Sequence, residues 1–64
     1  MQLPRLLKIA EVAEILQISK TTVYRLIEVG YLPAVRITMA SVRVRELDLE
    51  KYIQEHLGEA KVRP

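Results

Sequence analysis

Residues 12–27 read VAEILQISKTTVYRLI, and the apolar residues of this stretch have the spacing of two short helices joined by a tight turn. Val12, Ile15 and Leu16 fall at positions i, i+3 and i+4, which lie on one face of an α-helix. The apolar period is then interrupted for a few residues, as expected where the chain turns. We therefore predict a first amphipathic helix over residues 9–16.

A second helix is predicted over residues 20–29. Ser19 is a suitable N-cap, because its hydroxyl can accept a hydrogen bond from an unpaired amide of the first turn. Gly30 is suitable after the last turn, where a left-handed residue often ends a helix. The apolar residues that restart the helical period are Val23, Leu26 and Ile27. The polar residues left on the outward side are Lys20, Thr21, Tyr24 and Arg25.

Two segments after Pro33 alternate apolar and basic residues, and they predict a β-hairpin with strands at residues 34–37 and 42–45. A four-residue connection, residues 38–41, joins them. A two-stranded ribbon is only marginally stable alone, so we expect it to pack against the helices. The side chains expected to face the core are Val35, Ile37, Val42 and Val44. Those expected to share the outer face are Arg36, Arg43 and Arg45.

The flanks complete one predicted domain, residues 1–58, that is mainly α with a small β-hairpin. Residues 1–7 are predicted to be an extended lead-in, with Leu6 and Leu7 packing onto the core. A third helix is predicted over residues 46–57, because acidic residues occupy its start and an apolar stripe follows. That stripe consists of Leu49, Tyr52, Ile53 and Leu57, with Gly58 ending the helix and residues 59–64 predicted to be disordered.

Two positions of the first helix depart from the usual capping rules. Lys8 stands where Ser, Thr or Asp is preferred, and a cation is unfavourable at the positive end of the helix dipole. We therefore expect this end to fray. Gln17 stands at the following turn, where Gly would adopt a left-handed conformation most easily, so some backbone strain is expected there.

The composition of the 64 residues excludes several classes of protein. The chain has no Cys, which leaves no disulfide and no thiolate metal site. Its longest uncharged run, residues 29–35, is too short to span a membrane. The apolar start is interrupted by Lys8 and Glu11, so no signal peptide is predicted and the expected location is the cytoplasm.

The net charge of +2 is unevenly distributed. Residues 1–45 carry seven Lys/Arg and three Asp/Glu, a net charge of +4. Residues 46–64 carry three Lys/Arg and five Asp/Glu, a net charge of −2. This polarity could orient the molecule on a polyanion, or it could be ordinary solvated surface charge.

The sequence shows no combination of residues typical of a catalytic site. His56 is the single histidine; it lies near the end of the third helix, where we expect a structural or solvent-exposed role. Ser19 and Ser41 have no histidine base nearby in sequence, and Glu11 and Glu14 are expected to be solvated. The chain has no Gly-rich phosphate loop, so we expect no enzymatic activity, no metal and no cofactor.

The order of these elements resembles the excisionase-type small DNA-binding proteins, whose fold also occurs in MerR-like regulators. The resemblance covers about residues 6–57, and its most specific pieces are residues 12–16, 19–27 and 32–36. It implies a winged helix-turn-helix, in which the second helix enters the major groove and the hairpin, or wing, reaches the neighbouring backbone or minor groove. The DNA-binding residues expected are Ser19, Lys20, Thr21, Thr22, Tyr24, Arg25, Arg36, Arg43 and Arg45. The chain departs from the family at Lys8, at Gln17 and at the wing tip, which lacks the usual Gly and basic residues.

Two of these side chains, and Met39 at the wing tip, have two interpretations each. Arg25 could bind guanine, or it could pair with Glu28 within the helix. Tyr24 could donate to a phosphate, or it could pack against the first helix. Met39 could be an ordinary exposed loop residue or an apolar wedge in the minor groove.

The leading functional hypothesis is a sequence-specific double-stranded DNA-binding protein. It would be an accessory or architectural factor in site-specific recombination, or a small transcriptional regulator of a mobile element. We expect a monomer in solution, and cooperative assembly on DNA is left open. The alternative is a protein-interaction module that engages an integrase or the transcription machinery. A fragment of a larger MerR-like activator is disfavoured, because no long heptad helix follows the domain.

Overall fold

The computed structural model describes Leu3 and residues 5–57, and it confirms a mainly α winged helix-turn-helix with a small β-sheet. In chain order the elements are β1 (Leu6–Lys8), α1 (Ile9–Leu16), α2 (Lys20–Glu28), β2 (Val35–Thr38), β3 (Ser41–Arg45), α3 (Glu46–Tyr52) and a π-helical segment (Ile53–Leu57) that follows α3 directly. The predictions for residues 1, 2 and 4, the Leu57 side chain, Gly58 and residues 59–64 lie outside the described residues. No helix in the described part is long and apolar enough to cross a membrane.

The lead-in contains a strand that the sequence did not predict. β1 pairs antiparallel with β3, with Leu7 opposite Val44, and the sheet has the order β1-β3-β2. The hairpin is therefore not a lone ribbon, because β3 is the central strand of three. Both Leu7 and Val44 are buried, whereas Leu6, which was also expected to pack inward, is on the exposed face.

The start of α1 is better satisfied than its sequence suggested. The Lys8 backbone N–H donates to Glu11 Oε1 at 2.7 Å, so the N3 glutamate caps the helix although Lys8 cannot. At the other end, Gln17 has φ 60° and ψ 46°, which confirms the expected left-handed conformation. The Ile18 N–H then donates to the Ala13 carbonyl at 3.0 Å and closes the turn toward α2.

Both ends of α2 follow their sequence signals closely. The Thr22 N–H donates to Ser19 Oγ at 3.1 Å, which confirms Ser19 as the N-cap. The helix ends at Glu28, one residue earlier than predicted, and Gly30 has φ +89°. After it, the Leu32 N–H donates to the Leu26 carbonyl at 3.2 Å, and this turn carries the Leu32 side chain into the core.

The core lies where α1, α2, the sheet and α3 meet. Its buried residues are Leu7, Ile9, Val12, Ala13, Val23, Leu32, Val44 and Leu49, with Tyr52 and Ile53 partly buried against them. The helical period placed Ile15 on one apolar face with Val12 and Leu16, but Ile15 is 53% exposed. The buried stripe of α1 runs through Ile9, Val12 and Ala13, which are i, i+3 and i+4, and Ile15 lies to one side of it.

The predicted faces of the hairpin are also partly wrong. Val35 lies opposite Arg43 and Arg36 opposite Val42, but the next pair is Thr38 with Ser41. Ile37 is therefore an extra residue, a β-bulge, and it is 52% exposed rather than buried. β2 is shifted one residue later than predicted and β3 begins one residue earlier, which leaves a two-residue turn between Thr38 and Ser41.

The register decides which way each arginine projects, because paired residues share a face of the sheet. Arg36 shares the core-side face with Val42, whereas Val35 shares the outer face with Arg43. The prediction that three arginines share one face is therefore wrong for Arg36. One inserted residue changes the alternation of a strand relative to its partner. The prediction assumed strict alternation without a bulge, and it therefore placed Arg36 on the wrong face.

Candidate nucleic-acid interface

The first turns of α2 present polar side chains to solvent. Lys20, Thr21 and Arg25 are all exposed, and Tyr24 is 51% exposed rather than packed under α1. Val23, on the opposite side of the helix, is completely buried. The helix is thus held by its apolar side, and its polar start is free to meet another molecule.

Two of the expected binding residues are occupied by the cap. Ser19 Oγ accepts from the Thr22 backbone N–H, and it also lies 2.9 Å from Thr22 Oγ1 within hydrogen-bond geometry. Both residues are exposed. Their hydroxyls therefore cap the N-terminus of α2 and fix the conformation of its first turn.

A groove of about 850 Å³ lies between α2 and the hairpin, and we call it the α2–hairpin groove. The α2 residues lining it include Thr21, Tyr24, Arg25 and Glu28. The hairpin residues lining it are Arg36, Met39, Ala40 and Val42. The loop between them adds Gly30, Leu32, Pro33 and Ala34. One arginine thus lies on each wall, Arg25 on α2 and Arg36 on the hairpin, and Glu28 adds a carboxylate to the α2 wall.

Arg25 is not paired with Glu28. The salt bridge found among the described residues joins Arg45 Nε to Asp48 Oδ2 at 2.9 Å. The intrahelical alternative for Arg25 is therefore absent from the structure, and its guanidinium is available on the groove wall. The sequence indicated Glu28 only as an alternative partner of Arg25 and not as a lining residue, since only the fold shows where the groove is.

The three arginines of the hairpin go to different surroundings. Arg36 is exposed in the α2–hairpin groove, together with Arg25. Arg43 is half-buried on the outer face, and its Nη1 donates to the Val42 carbonyl at 3.1 Å. Arg45 is the N-cap residue of α3 and is held by Asp48. The structure therefore brings Arg36 to the α2 residues and separates it from Arg43 and Arg45.

His56, the single histidine, makes aromatic contacts with two tyrosines. The His56 ring stacks on Tyr52, with centroids 4.7 Å apart, and lies 5.5 Å from the ring of Tyr31. These contacts tie the π-helical segment to the loop after α2. Within residues 5–57, no group of three His, Cys, Asp or Glu side chains could hold a metal ion.

A helix-turn-helix followed by a sheet hairpin, with an exposed polar helix start, defines the class of this protein. The chain matches the family described as helix-turn-helix domain over residues 6–57 and belongs to that family. This match spans every element from β1 to the π-helical segment.

Curated relatives add a narrower likeness. Two proteins from strains of Mycobacterium tuberculosis, both named as candidate DNA-binding proteins, are 58% identical to this chain over 33 residues. The alignment covers 52% of this chain and 42% of each relative, so it spans less than half of their length. No solved structure matches the chain.

Proposed function

We propose that this protein binds double-stranded DNA sequence-specifically, with α2 in the major groove. The observation that carries the proposal is the α2–hairpin groove, where Arg25 and Arg36 stand on facing walls and Thr21 is exposed. An α-helix fits the major groove of B-DNA, which is about 12 Å wide. The family and the names of the relatives support the same conclusion.

The charged side chains of the groove and of the start of α2 have chemically suitable partners on a duplex. Arg25 can donate two hydrogen bonds to guanine O6 and N7, and Glu28 can accept from cytosine N4. Lys20 and the amides of the first turn suit a phosphate, because the start of a helix favours anions. Arg36 provides a phosphate contact from the other wall. Base contacts would therefore come from α2, and positioning from its start and the hairpin.

The biological output that we propose is that of a small accessory factor. The order of the elements resembles that of excisionase-type proteins, and binding requires no bond-making step. Such a protein would organise a recombinase complex on DNA or regulate transcription at a nearby promoter. The partners in those cases are an integrase or the transcription machinery.

A second candidate function is a protein-interaction module, and one surface favours it. A smaller cleft of about 320 Å³ is lined by Leu7, Ile15, Glu46, Leu49, Glu50 and Ile53. It has an exposed apolar residue, Ile15, and two acidic residues but no basic one. This composition does not suit a polyanion, so the cleft could serve a protein partner while α2 serves DNA.

Selection of bound duplexes from a random pool, followed by footprinting on the enriched sequence, tests the proposal. We expect the natural protein to enrich one short motif, and Arg25→Ala to enrich that motif without its preference at one base pair. Lys51→Ala is the matched control, because it removes an exposed cation from α3, away from the groove. Absence of any enriched motif would refute sequence-specific binding, and capture of a protein partner without DNA would favour the second function.

A further inference from the structure

The tip of the hairpin carries the most exposed large apolar side chain of the described residues. Met39 is 90% exposed and is followed by the small Ala40. No charged residue lies between Arg36 and Arg43. A tip of this composition has no cation to neutralise a phosphate, and the Met39 side chain itself can make only an apolar contact with DNA.

Met39 is held in a defined position. The turn has only two residues, because Thr38 pairs with Ser41 at the end of the sheet. The Ala40 N–H donates to Thr38 Oγ1 at 3.2 Å and closes the turn from inside. The side chain is flexible, but the backbone that presents it is fixed by the register of the hairpin.

The tip also belongs to the same groove as the proposed recognition residues. Met39 and Ala40 line the α2–hairpin groove together with Thr21 and Arg25. When a helix occupies the major groove, the next groove along the duplex is the minor one, about 6 Å wide. A single apolar side chain presented by a tight turn can enter a groove of that width.

We propose that Met39 is an apolar wedge, which enters between two base pairs from the minor groove and bends the duplex. This rests on the proposed function, because it requires α2 to bind the adjacent major groove. Insertion would remove the exposed thioether side chain from water and would partly unstack one base step. Pyrimidine–purine steps unstack most easily, so the site should contain such a step beneath the tip.

Bending of the selected duplex tests the wedge directly. The duplex is labelled with a fluorescent dye at each end, and energy transfer is measured when the full chain is saturating. We expect the natural protein to bend it by about 20–90°, the range that inserted side chains produce. Met39→Gln keeps the length of the side chain but makes its end polar, and should abolish most of the bend, whereas Met39→Leu should retain it.

Leu47→Gln is the matched control, since Leu47 is 69% exposed on α3 and does not line the groove. It should leave the bend unchanged. Binding without a bend, or a bend that survives Met39→Gln, would overturn the wedge while leaving DNA binding intact. Absence of binding to any duplex would overturn the wedge and the proposed function together.

Replacing the pyrimidine–purine step by a stiff step should lower affinity for the natural protein and not for Met39→Gln; equal losses in both would also overturn the wedge.

Discussion

Arg25 and Arg43 differ in what surrounds them, and this difference separates their proposed roles. Arg25 lines the α2–hairpin groove and has no ion pair with Glu28 in the described part of the chain. Arg43 is half-buried on the outer face of the sheet and bonds to a backbone carbonyl. Of these two arginines only Arg25 lies on α2, the proposed recognition helix, so we expect Arg25 and not Arg43 to read sequence.

Arg25→Ala should cost about 1–3 kcal/mol of binding free energy on the preferred site and relax discrimination at one base pair. Arg43→Ala should leave the ratio between preferred and scrambled duplexes unchanged. Fluorescence anisotropy titrations of both variants on both duplexes measure these ratios. If Arg43→Ala removes the preference and Arg25→Ala keeps it, the outer face of the sheet is the recognition surface and the proposed roles are reversed.

Arg36→Ala should weaken binding to all duplexes alike and lower the slope of log affinity against log salt by about one. The reason is that Arg36 lies on the hairpin wall of the groove, where we propose that it contacts a phosphate. Lys51→Ala is the control and should keep the slope. An unchanged slope in Arg36→Ala would show that this guanidinium does not contact the backbone.

At the scale of the elements, the helices were predictable and the sheet was predictable only in part. α1 and α2 carry their information locally, in the apolar period, the Ser19 cap and the Gly30 stop, and the structure follows each of these signals. β1 has only three residues and is defined by its pairing with β3, which lies far along the chain. The bulge at Ile37 likewise depends on pairing across the hairpin, because no residue marks it in the sequence. The same holds for the α2–hairpin groove. Its α2 wall was predictable from the sequence, whereas the orientation of Arg36 was not, because it depends on the pairing across the hairpin.

Ser19→Ala should lower the free energy of unfolding by about 0.5–2 kcal/mol, because it removes the acceptor for the Thr22 amide. Thr21→Ala is the matched control, since Thr21 is exposed in the same turn and supplies no capping bond. Denaturant unfolding followed by circular dichroism compares the two. Equal stability of both variants would mean that the Ser19 cap contributes nothing to α2.

At the scale of the whole molecule, stability depends on a small core. A 64-residue chain of this kind buries only about 60% of its unfolded surface, so each buried side chain represents a large share of the total. The position of Leu32 is informative, because no predicted helix or strand contains it and yet it is 1% exposed. The Schellman-type turn at Gly30 brings it back under α2, which a helical period cannot predict.

Leu32→Ala should destabilise the protein by about 2–5 kcal/mol, enough to unfold much of a domain this small. Ile15→Ala removes a similar side chain from an exposed site on α1 and should cost much less, about 0.5 kcal/mol or below. Thermal melting of the two variants gives the comparison. A larger loss for Ile15→Ala would show that the core lies elsewhere than described.

The central claim is that the α2–hairpin groove binds a duplex through its exposed cations. The most direct test is the affinity of the natural protein for the selected duplex, measured over a series of salt concentrations beside a scrambled duplex. Phosphate contacts from Lys20 and Arg36 predict a slope of about −2 in log affinity against log salt, because each contact releases about 0.9 counterion. Tighter binding to the selected duplex at every salt concentration is predicted as well. A slope near zero, or equal affinity for both duplexes, would contradict the account.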